Sequence, residues 1–214
     1  MKTSIKTLFA AALTLVVLTS SAFASTDVKE NNVTTLNQVK NINKIVVNGN
    51  VEVILVQAPT ESVKVYDSYY SKNALVQQEN GVLRISSFQN ETLTVAVYVR
   101  NLSSIEGGDN SRIKTFGKVN FLSLDVILKD KATADLNTTT VNLYTSVKDN
   151  ASLKLGGSTT DYYAVLSSNA KLNMGCFVAE TSSVNSTATV YAKGPIAQTL
   201  ENIKISDDLY ELGK

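Results

Sequence analysis

Apolar and polar residues alternate with a period of two over much of the chain, the pattern of strands with one buried face. Ile45-Val46-Val47-Asn48-Gly49-Asn50-Val51-Glu52-Val53-Ile54-Leu55-Val56 reads as two strands around an Asn-Gly turn signal. Ser62 to Tyr66 alternates in the same way. Leu75 to Gln77 is expected to pair with Val82 to Ile85 across Glu79-Asn80-Gly81, and Leu93 to Val99 follows. Beta-branched and aromatic residues fill these runs, and no 3.6-residue period is visible. The pattern predicts an all-β fold whose first half consists of short antiparallel strands.

The second half carries an internal repeat. Ala132, Ala151, Ala170 and Ala188 are separated by 19, 19 and 18 residues. Apolar columns accompany them: Leu128, Val147, Leu166 and Val184 before, then Ala134, Leu153, Leu172 and Val190, then Leu136, Leu155, Met174 and Ala192. Polar columns lie between, with Asp130, Asp149, Ser168 and Ser186 followed by Lys131, Asn150, Asn169 and Thr187. Asp109-Asn110-Ser111-Arg112-Ile113 is a looser copy 21 residues upstream of the first. A repeat of about 19 residues holding two short strands predicts a coil of a stacked β-solenoid, or parallel β-helix-like architecture. The alanine column marks a tight corner, and the Asp, Asn and Ser columns supply the turn.

Composition then narrows the chemistry. The 214 residues carry a formal net charge of +1, with no histidine, no tryptophan and one cysteine, Cys176. His/Cys zinc sites, intrachain disulfides and every Ser-His-Asp or Cys-His catalytic device are thereby excluded. Cys176, between Met174 and Phe177, reads as a small buried hydrophobe. At the N-terminus, Lys2 and Lys6 precede an apolar run from Leu8 to Leu18, and Ala22-Phe23-Ala24 follows. This is the layout of a secretory signal cleaved between Ala24 and Ser25, and the apolar run is too short for a membrane span. Removal of residues 1–24 leaves 18 basic and 19 acidic groups, with no basic patch that would attract nucleic acid.

Two features offer candidate chemistry. Asp109, Asp130 and Asp149 form a repeated acidic column, as paired glycosidase carboxylates or stacked calcium turns would require. Each stands beside Asn or Lys at a predicted turn, where an aspartate already serves the backbone. Tyr144 and Tyr163 share an outward column flanked by Asp125 and Thr181, while Leu124, Leu143 and Tyr162 form the inward one. Stacked tyrosines suit a sugar ring, with Thr145, Ser146 and Asp161 as hydrogen-bonding neighbours, and they also stabilise sheets as ordinary cross-strand pairs. Tyr66, Tyr69 and Tyr70 form a second aromatic cluster near a loop. No cofactor is expected.

The chain resembles the head GIN domain of auto-transporter adhesins over roughly residues 42–194. The resemblance rests on Ile45 to Val53, on Asn80-Gly81-Val82-Leu83-Arg84-Ile85, on Leu102 to Gly108 and on the repeated coils. Where that family places Gly-Ser-Gly at each turn, this chain has Asp109-Asn110-Ser111, Asp130-Lys131-Ala132 and Asp149-Asn150-Ala151. The resemblance implies the fold and an exported location. Only 20 residues follow Gly194, so no outer-membrane translocator barrel is expected in this sequence.

The sequence therefore predicts a signal peptide at 1–24, a flexible lead or first edge strand at 25–41, and one β domain at 42–214. The expected function is an exported, non-catalytic surface or periplasmic binding module, adhesive or carbohydrate-binding, whose partner is a glycan or a cell-surface protein. A carbohydrate-active enzyme on a β-helix scaffold and a purely structural envelope protein are the competing readings. Candidate ligand contacts are Tyr144, Tyr163 and Asp161. Mass spectrometry of the exported protein is expected to find Ser25 at its N-terminus; full-length protein beginning at Met1 would overturn the signal assignment.

Overall fold

Every strand of the computed structural model, which describes residues 33–36, 38–66, 74–186 and 190–191, joins one mixed sheet. No helix occurs among the described residues, and the sheet curls into a half-barrel whose concave face holds the core. The strands are β1 (Val33–Leu36), β2 (Lys44–Gly49), β3 (Val51–Gln57), β4 (Ser62–Tyr66), β5 (Ala74–Glu79), β6 (Val82–Ser87) and β7 (Leu93–Val99). There follow β8 (Ser104–Gly107), β9 (Arg112–Thr115), β10 (Val119–Asn120), β11 (Ser123–Leu128) and the long strands β12 (Thr133–Val147), β13 (Ser152–Leu166) and β14 (Lys171–Ser186). The last is β15 (Val190–Tyr191). The signal segment and its Ala24/Ser25 junction lie outside the described residues, as do Tyr69, Tyr70, Thr187, Ala188 and Ala192. Within the predicted lead, Val33–Leu36 pairs with β4 at one edge of the sheet.

The two Asn-Gly signals have different outcomes. Asn80 and Gly81 both adopt positive φ, 49° and 79°, and close a two-residue turn between antiparallel β5 and β6. At Asn48-Gly49-Asn50 only Gly49 is positive, at 81°, so the chain turns a corner instead of folding back. β2 then pairs in parallel with β6 and β8, while β3 pairs in parallel with β7 and β9. Antiparallel pairing in the first half is confined to β1–β4, β4–β7 and β5–β6, which corrects the expectation of antiparallel strands there. Gly49 is obligatory at this corner, since a Cβ would stand 2.1 Å from the Ser87 carbonyl oxygen.

Successive repeat copies pair in parallel. Leu124, Leu143 and Tyr162 are cross-strand partners, as are Ala134 and Leu153, and then Leu153 and Leu172. All of these are buried, together with the corner alanines 132, 151 and 170. Each corner is closed by a bond from the alanine N–H to the carbonyl three residues earlier: Ala132 to Lys129, Ala151 to Lys148, Ala170 to Ser167. The long strands bend halfway. In β12, Ala134, Leu136, Thr138 and Thr140 face inward, two exposed residues (Val141 and Asn142) follow, and Leu143, Thr145 and Val147 face inward again. The N–H groups of Val141 and Asn142 both donate to the Leu122 carbonyl at this bend. Two predicted strands per copy are thus two limbs of one continuous ladder.

β14 departs from the expected register. Lys154 pairs with Asn173 but Gly156 pairs with Cys176, so β14 holds one extra residue at Met174-Gly175. Beyond that bulge Tyr163 pairs with Ser183 rather than standing in line with Thr181, and Leu166 pairs with Ser186 rather than Val184. The slip also turns Cys176 outward, so the expected buried thiol is an exposed one. Phe177 takes the inward side and meets Tyr162 edge-on, with ring centroids 5.4 Å apart.

The inward phase can be tested at two adjacent residues. Leu153 is fully buried, whereas Lys154 is exposed and bridges Asp135 at 2.8 Å on the convex face. Leu153→Ala is expected to cost about 2–5 kcal/mol in a denaturant titration. Lys154→Ala removes only an exposed ion pair and is expected to leave the midpoint close to the wild type's.

Candidate functional site

The convex face carries two arrangements that could meet a ligand. The first is the tyrosine column. Adjacent parallel strands place Tyr144 of β12 beside Tyr163 of β13, and the rings stack with centroids 5.7 Å apart and planes within 12°. Tyr163 is 42% exposed, and its hydroxyl accepts a bond from Asn185 Nδ2 at 2.9 Å. Asp125 lies next to Tyr144 and Ser183 next to Tyr163. Two residues before each tyrosine in its strand runs an exposed polar row of Ser123, Asn142, Asp161 and Thr181. Asp161 therefore stands on the same face as the ring pair.

The other expected neighbours do not. Thr145 is wholly buried and its hydroxyl shares a 2.9 Å hydrogen bond with Tyr162 in the core, while Ser146 is only 5% exposed. Thr145 fails because strand alternation sends it inward between outward Tyr144 and Ser146. Ser146 does face outward but is walled in by its neighbours in the ladder, Ile127 and Val165. Asp125 and Ser183 therefore border the rings directly, and Asn142, Asp161, Thr181 and Asn185 are the further polar groups around them.

The second arrangement lies along the turns. Asp109, Asp130 and Asp149 adopt φ of 53°, 58° and 54°, a region that aspartate tolerates better than most residues. Asp149 Oδ2 accepts from the Asp130 N–H at 3.1 Å, Asp130 Oδ2 from the Asp109 N–H at 3.1 Å, and Asp109 Oδ2 from the Gly49 N–H at 3.0 Å. Each carboxylate thus holds the backbone of the neighbouring turn. No group of three acidic, cysteine or histidine side chains with metal-binding geometry occurs among the described residues.

At the Gly49 end of this row opens a cleft of about 700 Å³. Its walls come from the β2–β3 corner, the loop after β6, the Asp109 turn and the following turn, including Asn50, Phe88, Asp109, Arg112, Lys131 and Thr133. Phe88 is 75% exposed at the lip. The repeat pattern did not reveal this cleft, because its residues come from four separated segments. An isolated phenylalanine in the otherwise polar stretch Ser86-Ser87-Phe88-Gln89-Asn90 was the available signal.

A family model described as "Putative auto-transporter adhesin, head GIN domain" matches residues 41–200. The chain belongs to this family. The fold of the head GIN domain is similar to that of a "putative adhesin" from Parabacteroides distasonis, with TM-score 0.50 and 13% identity over 76% of this chain and 94% of that one. A "putative lipid binding protein" from the same species matches with TM-score 0.48 and 8% identity over 76% and 94% of the two chains. A "putative adhesin" from Bacteroides fragilis matches with TM-score 0.44 and 11% identity over 75% and 96%. No curated protein matches the chain. No helix among the described residues of this head GIN domain is long and apolar enough to cross a membrane.

Burial pushes the Tyr162 hydroxyl well above its ordinary pKa, and the Thr145 hydrogen bond offsets only part of that. The folded state therefore keeps the proton where the unfolded chain loses it, so stability falls as pH rises above the ordinary tyrosine value of about 10. Tyr162→Phe is expected to flatten part of that alkaline loss in thermal melts across pH 9 to 11, while costing about 1 kcal/mol at neutral pH because Thr145 loses its partner.

Proposed function

We propose that the protein is an exported, non-catalytic adhesive module, built as a β-solenoid, whose outward tyrosine pair and flanking polar row contact a carbohydrate at a cell surface or in the periplasm. The solenoid reading is supported by parallel pairing of repeat copies 19 residues apart and by turns that bond to one another in series. Export is supported by Lys2, Lys6, the Leu8 to Leu18 run and Ala22-Phe23-Ala24, and by membership of a family described as adhesins. The non-catalytic reading is supported by the duty of the acidic column, whose three carboxylates are each engaged with a backbone N–H.

The observation that carries the ligand reading is the stack itself. Two rings held within 12° of parallel present a fixed apolar rim with hydroxyls at its edge. The outer flanks of the pair are bordered by Asp125 and Ser183, and Asp161 and Thr181 stand within one strand step. A rigid aromatic edge beside amide, carboxylate and hydroxyl groups suits a sugar, which has an apolar face bordered by hydroxyls. The pair is already ordered by cross-strand packing, so little side-chain freedom is lost on binding.

Replacing both tyrosines separates a contact role from a sheet-stiffening one. Tyr144→Ala with Tyr163→Ala is expected to lower adhesion to immobilised glycans or cells by about tenfold or more while the protein remains folded. A lowered melting temperature with undiminished adhesion would assign the pair to the sheet alone.

A further inference from the structure

We propose that the cleft between Phe88 and the Asp109 turn binds a uronic-acid sugar unit, with Phe88 against the apolar face of the ring and Arg112 on its carboxylate. This is a second site, on other residues than the tyrosine pair, and it does not rest on that reading.

The lip of the cleft is a fixed feature. Asn50 Nδ2 donates to the carbonyls of Gln89 at 3.2 Å and Asn90 at 2.9 Å, and Thr92 Oγ1 donates to Asn50 Oδ1 at 2.9 Å. One side chain thus pins the loop that carries Phe88. Glycine at position 49 lets the ring sit close to the corner, since an added Cβ would lie 3.3 Å from Phe88 Cδ1. A phenylalanine that is 75% exposed yet fastened in place has the character of a preformed contact surface.

The charges point to an anion. Arg112 lies in register between Glu52 and Thr133, but the Glu52 carboxylate is taken by Lys114 at 2.7 Å. The Asp109 carboxylate is engaged with the Gly49 N–H. Among the described residues neither Arg112 nor Lys131 has an ion-pair partner, and both line the cleft. A guanidinium fork matches a carboxylate with two parallel hydrogen bonds, which sets an acidic sugar apart from a neutral one. The remaining wall is hydroxyl and amide rather than aliphatic, as a polyhydroxylated ring requires and an acyl chain does not. A volume of about 700 Å³ accommodates a short oligosaccharide.

Calorimetric titration of the mature protein with α-1,4-linked trigalacturonate tests this, with the fully methyl-esterified trisaccharide as the uncharged control. Trigalacturonate is expected to bind about tenfold or more tightly than its ester, and Arg112→Gln is expected to abolish that difference. Phe88→Ala is expected to weaken both ligands by about tenfold. Phe88 and Arg112 are both exposed, so thermal melts of the two variants should match the wild type and certify their fold. Tyr144→Ala with Tyr163→Ala should leave trigalacturonate binding unchanged. No binding of the acid, equal binding of acid and ester, indifference to Phe88→Ala, or loss in the tyrosine double variant would each overturn the cleft as the site.

Discussion

The series of carboxylate-to-backbone bonds along the turns is the constraint on which the rest depends. Asp149 holds Asp130, Asp130 holds Asp109, and Asp109 reaches 60 residues back to Gly49. In a sheet whose side chains alternate, a turn displaced by one residue would send every following apolar residue to the wrong face. Fixing the turns to one another therefore fixes the phase of Leu128, Ala134, Leu153 and their partners at once. The last link matters most for the topology. It ties the repeated half of the chain to the β2–β3 corner, across which the two parallel ladders of the first half diverge.

Much of the repeated half was legible because one residue type recurs at one geometric task. Alanine marks the corners at 132, 151 and 170, aspartate the positive-φ turns at 109, 130 and 149, and the Tyr144–Tyr163 pairing follows from a 19-residue offset that β12 and β13 keep along their whole length. What stayed hidden depends on non-local neighbours. Asn48-Gly49 and Asn80-Gly81 look alike as dipeptides, yet the second closes a hairpin and the first a corner, because the Ser87 backbone crowds Gly49. The placement of β8 between β2 and β11 leaves no periodic trace. The Phe88 cleft could not be read from a repeat, since its walls are the places where the repeat begins and the earlier strands end.

Both limbs of the convex face carry outward ion pairs, and one of them also carries the ring stack. On the limb built from β3, β9 and the first parts of β12 and β13, outward positions pair opposite charges, Glu52 with Lys114 and Asp135 with Lys154. Such exposed pairs contribute little stability. On the other limb the outward positions pair Lys44 with Glu106, and the tyrosine column further along the same ladder is ordered by ring stacking. Both limbs share one core, so residues on the convex side can diverge without disturbing the packing beneath them.

The extra residue in β14 carries a consequence for how such chains change length. Its insertion moves the pairing offset with β13 from 19 to 20, yet β12 and β13 keep an unbroken register with each other. Because each copy touches only the copies beside it, a single-codon insertion is absorbed locally and its effect dies out within one neighbour. A residue gained or lost in β14 can thus re-aim that strand's outward side chains, as it does Cys176, while β12 and β13 hold their register.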